Sequence, residues 1–177
     1  MSLEIVMGPM FAGKTSYALS LVRKYTAQGL SVFVIKPSID VRYTALSEIT
    51  THNGDSLPCY TTDTLDTITP EMLEPFSVII VDEAQFFTNL VSFAKLAVDT
   101  MSRSVCFVGL SGDANRRSFG EFLTLIPLAD TITHLSSLCA CGKKAYFTRR
   151  LADGHEQIAV GGPEMYVPQC RYCYVYK

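Results

Sequence analysis

Met7-Gly8-Pro9-Met10-Phe11-Ala12-Gly13-Lys14-Thr15-Ser16 carries the spacing G-x-x-x-x-G-K-[ST] on Gly8, Gly13, Lys14 and Thr15. Glycines at that spacing let a backbone curl around oxygen atoms, so that the amides of Met10–Gly13 and their neighbours turn inward on negative charge, in a loop that Pro9 opens. In such a cradle Lys14 reaches the β- and γ-phosphates of a nucleotide, and the Thr15 hydroxyl ligates Mg²⁺. The flanks agree with this reading. Leu3–Met7 reads as a short buried strand. Thr15 to Gln28 reads as a helix with Tyr17, Ala18, Leu21, Val22 and Tyr25 on one face, ended by Gly29. A helix start at this point adds its positive dipole end to the cradle.

Outward from the loop, strands and helices alternate. Ser31–Lys36, Phe76–Glu83, Ser104–Leu110 and Asp130–Leu135 are apolar or alternating runs of strand length, which makes five strands with the first. Thr88–Met101 reads as a helix with Leu90, Ala94, Ala97 and Met101 on one face. Residues 38–58 read as a loop or hairpin turning at Asn53-Gly54. Thr61–Leu73 is polar and threonine-rich, with a short helix before Pro70. The pattern predicts an α/β domain with a mostly parallel sheet. After Ser137 the character changes to paired cysteines, β-like alternation at 145–148 and 156–160, and a Gly/Pro-rich loop over Gly161–Gln169. Residues 1–137 and 138–177 are accordingly read as two units: a nucleotide-binding domain and a small metal-pinned lobe.

Composition bounds the function. The 177 residues are 48% hydrophobic and 18% charged, which describes a globular chain. A net charge of -2 argues against a dedicated nucleic-acid binder. The N-terminal residues show no basic region ahead of an apolar run, and no apolar run approaches the ~20 residues of a spanning helix. A soluble cytoplasmic protein with no membrane or nucleic-acid partner is expected.

Several residues carry chemistry. Asp82 ends the apolar strand VIIVD and is placed to hold Mg²⁺ opposite Thr15. Glu83 follows it, where a carboxylate could take the proton of an attacking hydroxyl or water, or could instead stand behind the metal. Gln85 offers an amide to a base edge. Phe86 and Phe87 either stack a flat ligand or belong to the core. Arg42, Arg116, Arg117, Arg149 and Arg150 are candidates for a phosphoryl clamp. Cys139-x-Cys141 and Cys170-x-x-Cys173 supply four thiolates, enough for a closed structural Zn²⁺ site. The remaining two cysteines, Cys59 and Cys106, stand alone. His134, in a strand, is read as a core residue.

These pieces together resemble the type II (cytosolic and viral) thymidine kinases over nearly the whole chain. The resemblance is carried by GPMFAGKT (8–15), DVRY (40–43), THNG (51–54), VDEAQFF (81–87), RRSFG (116–120), RRL (149–151) and GGPEMY (161–166) ahead of CRYC. It implies a RecA-like P-loop domain and a zinc lobe whose lasso loop covers the nucleoside. It implies transfer of the ATP γ-phosphate to the 5′-hydroxyl of thymidine, and of deoxyuridine as a further acceptor. Glu83 matches the family base, Arg42 the arginine near the transferred phosphoryl, and Arg150 a second basic position. The base pocket maps onto Met10, Phe86, Leu110, Phe119, Thr148 and Tyr166. Lasso backbone near Gln157, Ala159 and Gly161 reads the thymine edge. The family also implies a homotetramer and feedback inhibition by dTTP. Three places depart from it: Ser111 and Ala114 stand where an aspartate and an aromatic are frequent, Gln157 and Ala159 replace common valines, and the first cysteine pair is C-x-C.

Two other classes of function fit parts of the pattern. A P-loop motor or helicase fragment with a zinc ribbon shares the VDEAQ segment but needs a second such domain and a basic track. A zinc-stapled module that only binds ATP has no use for Glu83.

Overall fold

The computed structural model describes residues 1–39, 48–50, 56–151, 157 and 161–176. Its centre is a six-stranded sheet built from β1 (Ser2–Gly8), β2 (Val32–Pro37), β5 (Tyr60–Thr62), β6 (Val78–Val81), β7 (Ser104–Leu110) and β8 (Thr131–His134). The strand order is β5-β2-β6-β7-β1-β8, and every pairing within it is parallel. Parallel strands need crossovers that cover both faces, and the apolar alternation along β6 shows how this is met. Val78 and Ile80 face α1 (Lys14–Ala27), together with Val6, Val34, Cys106 and Val108. Ile79 and Val81 face the other way, toward Leu73 of α2 (Pro70–Leu73) and Leu90 and Phe93 of α3 (Leu90–Ala94). Helix α3 runs on as a π-wound turn over Lys95–Thr100, and a 3-10 stretch over Phe122–Leu128 buries Phe122 and Leu125 on the same face.

The expected strands and the two longer helices are present. Two strands of a hairpin, β3 (Glu48–Thr50) and β4 (Ser56–Pro58), pair antiparallel on either side of Asn53-Gly54, which itself lies outside the described residues. The polar run after Pro58 holds an unexpected strand: Tyr60–Thr62 adds to β2 as the sheet's edge, followed by a 3-10 turn at Leu65–Thr67. An edge strand paired on one side tolerates such polarity. His134 corrects the core reading. Strand β8 is the opposite edge, and His134 is exposed there, with its ring 5.1 Å from that of Tyr146. Burial of its ring on one side still lowers its pKa from the usual value.

The C-terminal region forms two small antiparallel ribbons and a helix. Strands β9 (Ser137–Leu138) and β10 (Lys144–Ala145) make the first ribbon. Strands β11 (Phe147–Arg150) and β12 (Tyr166–Gln169) make the second, and α4 (Arg171–Tyr176) follows. The last four residues of the Gly/Pro-rich loop are therefore strand. The core rests on the central strands, so Ile80→Ala should lower unfolding free energy by about 2–5 kcal/mol, read as a lower urea midpoint with an unchanged slope.

Candidate active site

Parallel pairing delivers the strand ends to one edge of the sheet. Gly8 lies opposite Leu110, and β6 ends at Val81 opposite Phe107, with Asp82 and Glu83 following it. The crevice beyond the C-terminal ends of such strands is where open α/β sheets bind ligands. Between β1 and α1 the chain turns through Phe11 at φ 62 and Gly13 at φ 76. Gly8 must lack a side chain, because a Cβ there would sit 2.8 Å from the Leu135 carbonyl. Lys14 is buried, and its Nζ donates to the Pro9 carbonyl at 2.9 Å, which folds the ammonium back over the loop. Pro9, Met10, Phe11 and Ala12 span the loop between the two glycines.

Thr15 opens α1 with its hydroxyl 3.4 Å from a carboxylate oxygen of buried Asp82. A hydroxyl and a carboxylate suit Mg²⁺, whose adjacent oxygen ligands lie about 3 Å apart, so the pair fits that ion. Asp82 points to the α1 side of the sheet by the alternation that turns Val78 and Ile80 the same way.

Glu83 is buried and holds a left-handed backbone at φ 49. That conformation costs a non-glycine residue about 1–2 kcal/mol, and such strain collects where geometry matters for function. Gln85, also buried, braces it: Nε2 donates to Glu83 Oε2 at 2.5 Å, while Oε1 accepts the Leu110 amide at 3.0 Å. The Gln85 amide is thus engaged inside the protein at both ends. Two glycines make room for it. A Cβ on Gly109 would lie 2.8 Å from Gln85 Oε1, and one on Gly120 would lie 2.4 Å from the Gln85 carbonyl. Sequence reasoning missed this seat, although the glycine after Phe119 in RRSFG was a signal for it.

The residues expected around a base lie as follows. Phe86 meets Phe119 edge to face at 5.3 Å between centroids, whereas Phe87 is buried in the core. Thr148 is buried on β11 and accepts the Met10 amide at 2.9 Å, which joins the C-terminal ribbon to the loop after β1. Tyr166 pairs with Arg150 across that ribbon. Gln157 donates to Asp113 Oδ2 and to the Ser118 carbonyl, both at 3.0 Å, and Gly161 lies against Met165. Arg42 and Ala159 lie outside the described residues.

Cys139, Cys141, Cys170 and Cys173 converge, with their sulfurs within 4.8 Å of one another. Cys139 and Cys141 flank the β9–β10 turn, where Gly142 takes φ 81. Cys170 and Cys173 lie at the start of α4, and the Cys173 amide donates to Cys170 Sγ at 3.5 Å. Zn–S bonds of about 2.3 Å put tetrahedral sulfurs near 3.8 Å apart, and Cys141 and Cys170 are at 3.6 Å. The shortened C-x-C spacing therefore still closes the set. Backbone amides of Cys141 and Cys170 pull the Cys139 thiol down to about 6. Burial and the neighbouring sulfurs push Cys173 up to about 12. Four sulfurs suit Zn²⁺ and leave no open position, so a metal here would staple rather than catalyse.

The thymidine kinase family model matches residues 1–174. Thymidine kinase a of Arabidopsis thaliana is 38% identical over 180 residues, which cover 98% of this chain and 75% of that protein. The thymidine kinase of Rabbit fibroma virus (strain Kasza) is 34% identical over 175 residues, 98% of this chain and 96% of that one. The cytosolic thymidine kinase of Homo sapiens is 32% identical over 176 residues, 99% and 74% of the two chains.

Metal analysis of the purified protein should find one zinc per chain, and Cys170→Ser should lose it and unfold at lower urea. A folded, zinc-free protein with four titratable thiols in this cluster would contradict the staple.

Proposed function

The chain belongs to the thymidine kinase family, and from that premise we propose that it transfers the γ-phosphoryl group of ATP to the 5′-hydroxyl of thymidine, giving dTMP and ADP. The observation that carries this reading is the braced, buried Glu83 next to the Asp82–Thr15 pair and the Lys14 loop. Phosphoryl transfer asks the protein for position and charge rather than covalent chemistry. The loop from Gly8 to Thr15 cradles the triphosphate, and Lys14 moves from the Pro9 carbonyl to the β- and γ-oxygens. Thr15 and Asp82 hold Mg²⁺, which neutralises charge on the phosphates when bound. Glu83 takes the 5′-hydroxyl proton as the new O–P bond forms, and the bond from the γ-phosphorus to its bridging oxygen breaks to leave ADP. A carboxylate has about four lone-pair sites, and Gln85 uses one to fix its direction.

In this reading Met10, Phe86, Leu110, Phe119, Thr148 and Tyr166 surround the thymine, and backbone at Gln157, Ala159 and Gly161 meets its polar edge. Arg42 lies near the transferred group. Residues 138–177 form a zinc-bound lobe whose lasso closes over the nucleoside, and closure keeps water from the γ-phosphate. A cytoplasmic homotetramer, inhibited by dTTP, completes the proposal. Among the described residues no helix is long and apolar enough to cross a membrane. The family match argues against a motor fragment.

Incubation with ATP, Mg²⁺ and each common deoxynucleoside plus deoxyuridine tests the reaction. Thymidine should give stoichiometric dTMP and ADP, far ahead of deoxycytidine and the purines; ADP with no monophosphate would make water the acceptor. Glu83→Gln should lower kcat by at least about 10²-fold, the usual contribution of a general base, while nucleotide binding persists. Gln85→Leu should lower kcat with little change in KM for ATP, because it loosens Glu83 without touching the phosphate loop.

A further inference from the structure

Thr148 also borders a cavity of about 520 Å³ between the loop after β7, the end of β8 and the C-terminal ribbons. It shares Thr148 with the pocket assigned to thymine, but none of Met10, Phe86, Leu110, Phe119 or Tyr166 lines it, so it lies beside that pocket. Its walls carry three permanent cations, Arg116, Lys144 and Arg171, against one carboxylate, Asp113. That carboxylate is already engaged. Oδ1 accepts the amides of Asn115 at 2.9 Å and Arg117 at 2.8 Å, and Oδ2 accepts Gln157 Nε2. Among the described residues none of the three cations forms an ion pair with a carboxylate.

Both arginines also pack on one aromatic ring. Arg116 lies 5.7 Å and Arg171 4.9 Å from the centroid of the same Phe147 ring. Arg116 leans on Tyr174 as well, at 4.4 Å, and the Tyr174 hydroxyl donates to the Ala114 carbonyl. Its backbone sits in the left-handed region at φ 62, a strained setting for an arginine. Ring contacts thus hold two of the three cations on the wall of this cavity, with no ion pair to a carboxylate among the described residues, in a space of the size that small-molecule sites occupy, about 300–1,000 Å³. Two guanidinium forks and an ammonium are the donor set that phosphate oxygens match.

We propose that this cavity is a second ligand site, which binds a phosphate-bearing small molecule between Arg116, Lys144 and Arg171, apart from the reaction centre. The shared chemistry is the phosphate group, and its source can be inorganic or a nucleotide.

The test uses the full chain carrying Lys14→Met, which weakens the loop site, with zinc content checked. Inorganic pyrophosphate and adenosine 5′-monophosphate are each titrated by calorimetry, and the His134 ring signals are followed by NMR as a reporter on the cavity wall. Saturable one-to-one binding that moves the His134 signals is expected, weakened at least about ten-fold by Arg171→Gln and by Lys144→Gln, and restored by Lys144→Arg. Tighter binding of the monophosphate would assign the ligand to the nucleotide source, and equal binding to the phosphate alone. Lys144 is exposed, so Lys144→Gln should keep the fold and decides the matter if Arg171→Gln does not. Absence of saturable binding by either probe, or binding that neither charge removal alters, would overturn the proposal.

Discussion

The hydrogen bond from Gln85 to Glu83 is the contact on which the geometry beyond the end of β6 depends. It links residues two apart in sequence, across a turn whose first member takes a backbone that glutamate disfavours. A local bond could not hold that turn against its own strain without outside support. The support comes from β7, where the Leu110 amide fixes the other end of the Gln85 side chain, and from Gly109 and Gly120, which leave the space for it. The direction of Glu83 is therefore set by residues 25 and more positions away, and any shift of β7 against β6 is felt there. The same seat brings Phe119 against Phe86, so Glu83 and this aromatic pair are positioned together.

The C-terminal region depends on the sheet in a different way. Its ribbons are too short to bury a sizeable core of their own; the core cluster there, among the described residues, is Ala145 and three of the four clustered cysteines. Small scaffolds of this kind need a staple, and the four sulfurs provide a place for one. The Met10–Thr148 hydrogen bond then transmits that order to the loop after β1. A metal held by those sulfurs would thus bear on how well the loop after β1 and the ribbon stay in register.

Local patterns were legible in the sequence. The glycine spacing, the apolar run ending in Asp82-Glu83 and the cysteine pairs each declare themselves within a few residues, because their chemistry fixes their spacing. What was not legible depends on contacts distant in the chain. The bonds of Gln85 to Glu83 and Leu110 were not foreseen, since nothing nearby indicates that Gly109 and Gly120 enclose it. Tyr60–Thr62 looked like loop because it is polar and three residues long, and only its pairing with β2 makes it strand. His134 looked buried because its strand alternates, but β8 has a neighbour on one side alone. The charge of the cavity wall was invisible for the same reason: Arg116, Lys144 and Arg171 are spread over 56 positions and meet only in three dimensions.

The strand order also has a consequence for how the protein is made. Ser2–Gly8 finds its partners in β7 and β8, with Ser2 opposite Ser104 and Glu4 opposite Thr131. At about 5–20 residues per second, a ribosome needs several seconds to bring those partners out after β1. During that interval the apolar segment that anchors the phosphate loop has both edges open. Its exposure to aggregation falls in the nascent chain rather than in the finished fold, and codons that slow translation before residue 104 would lengthen it.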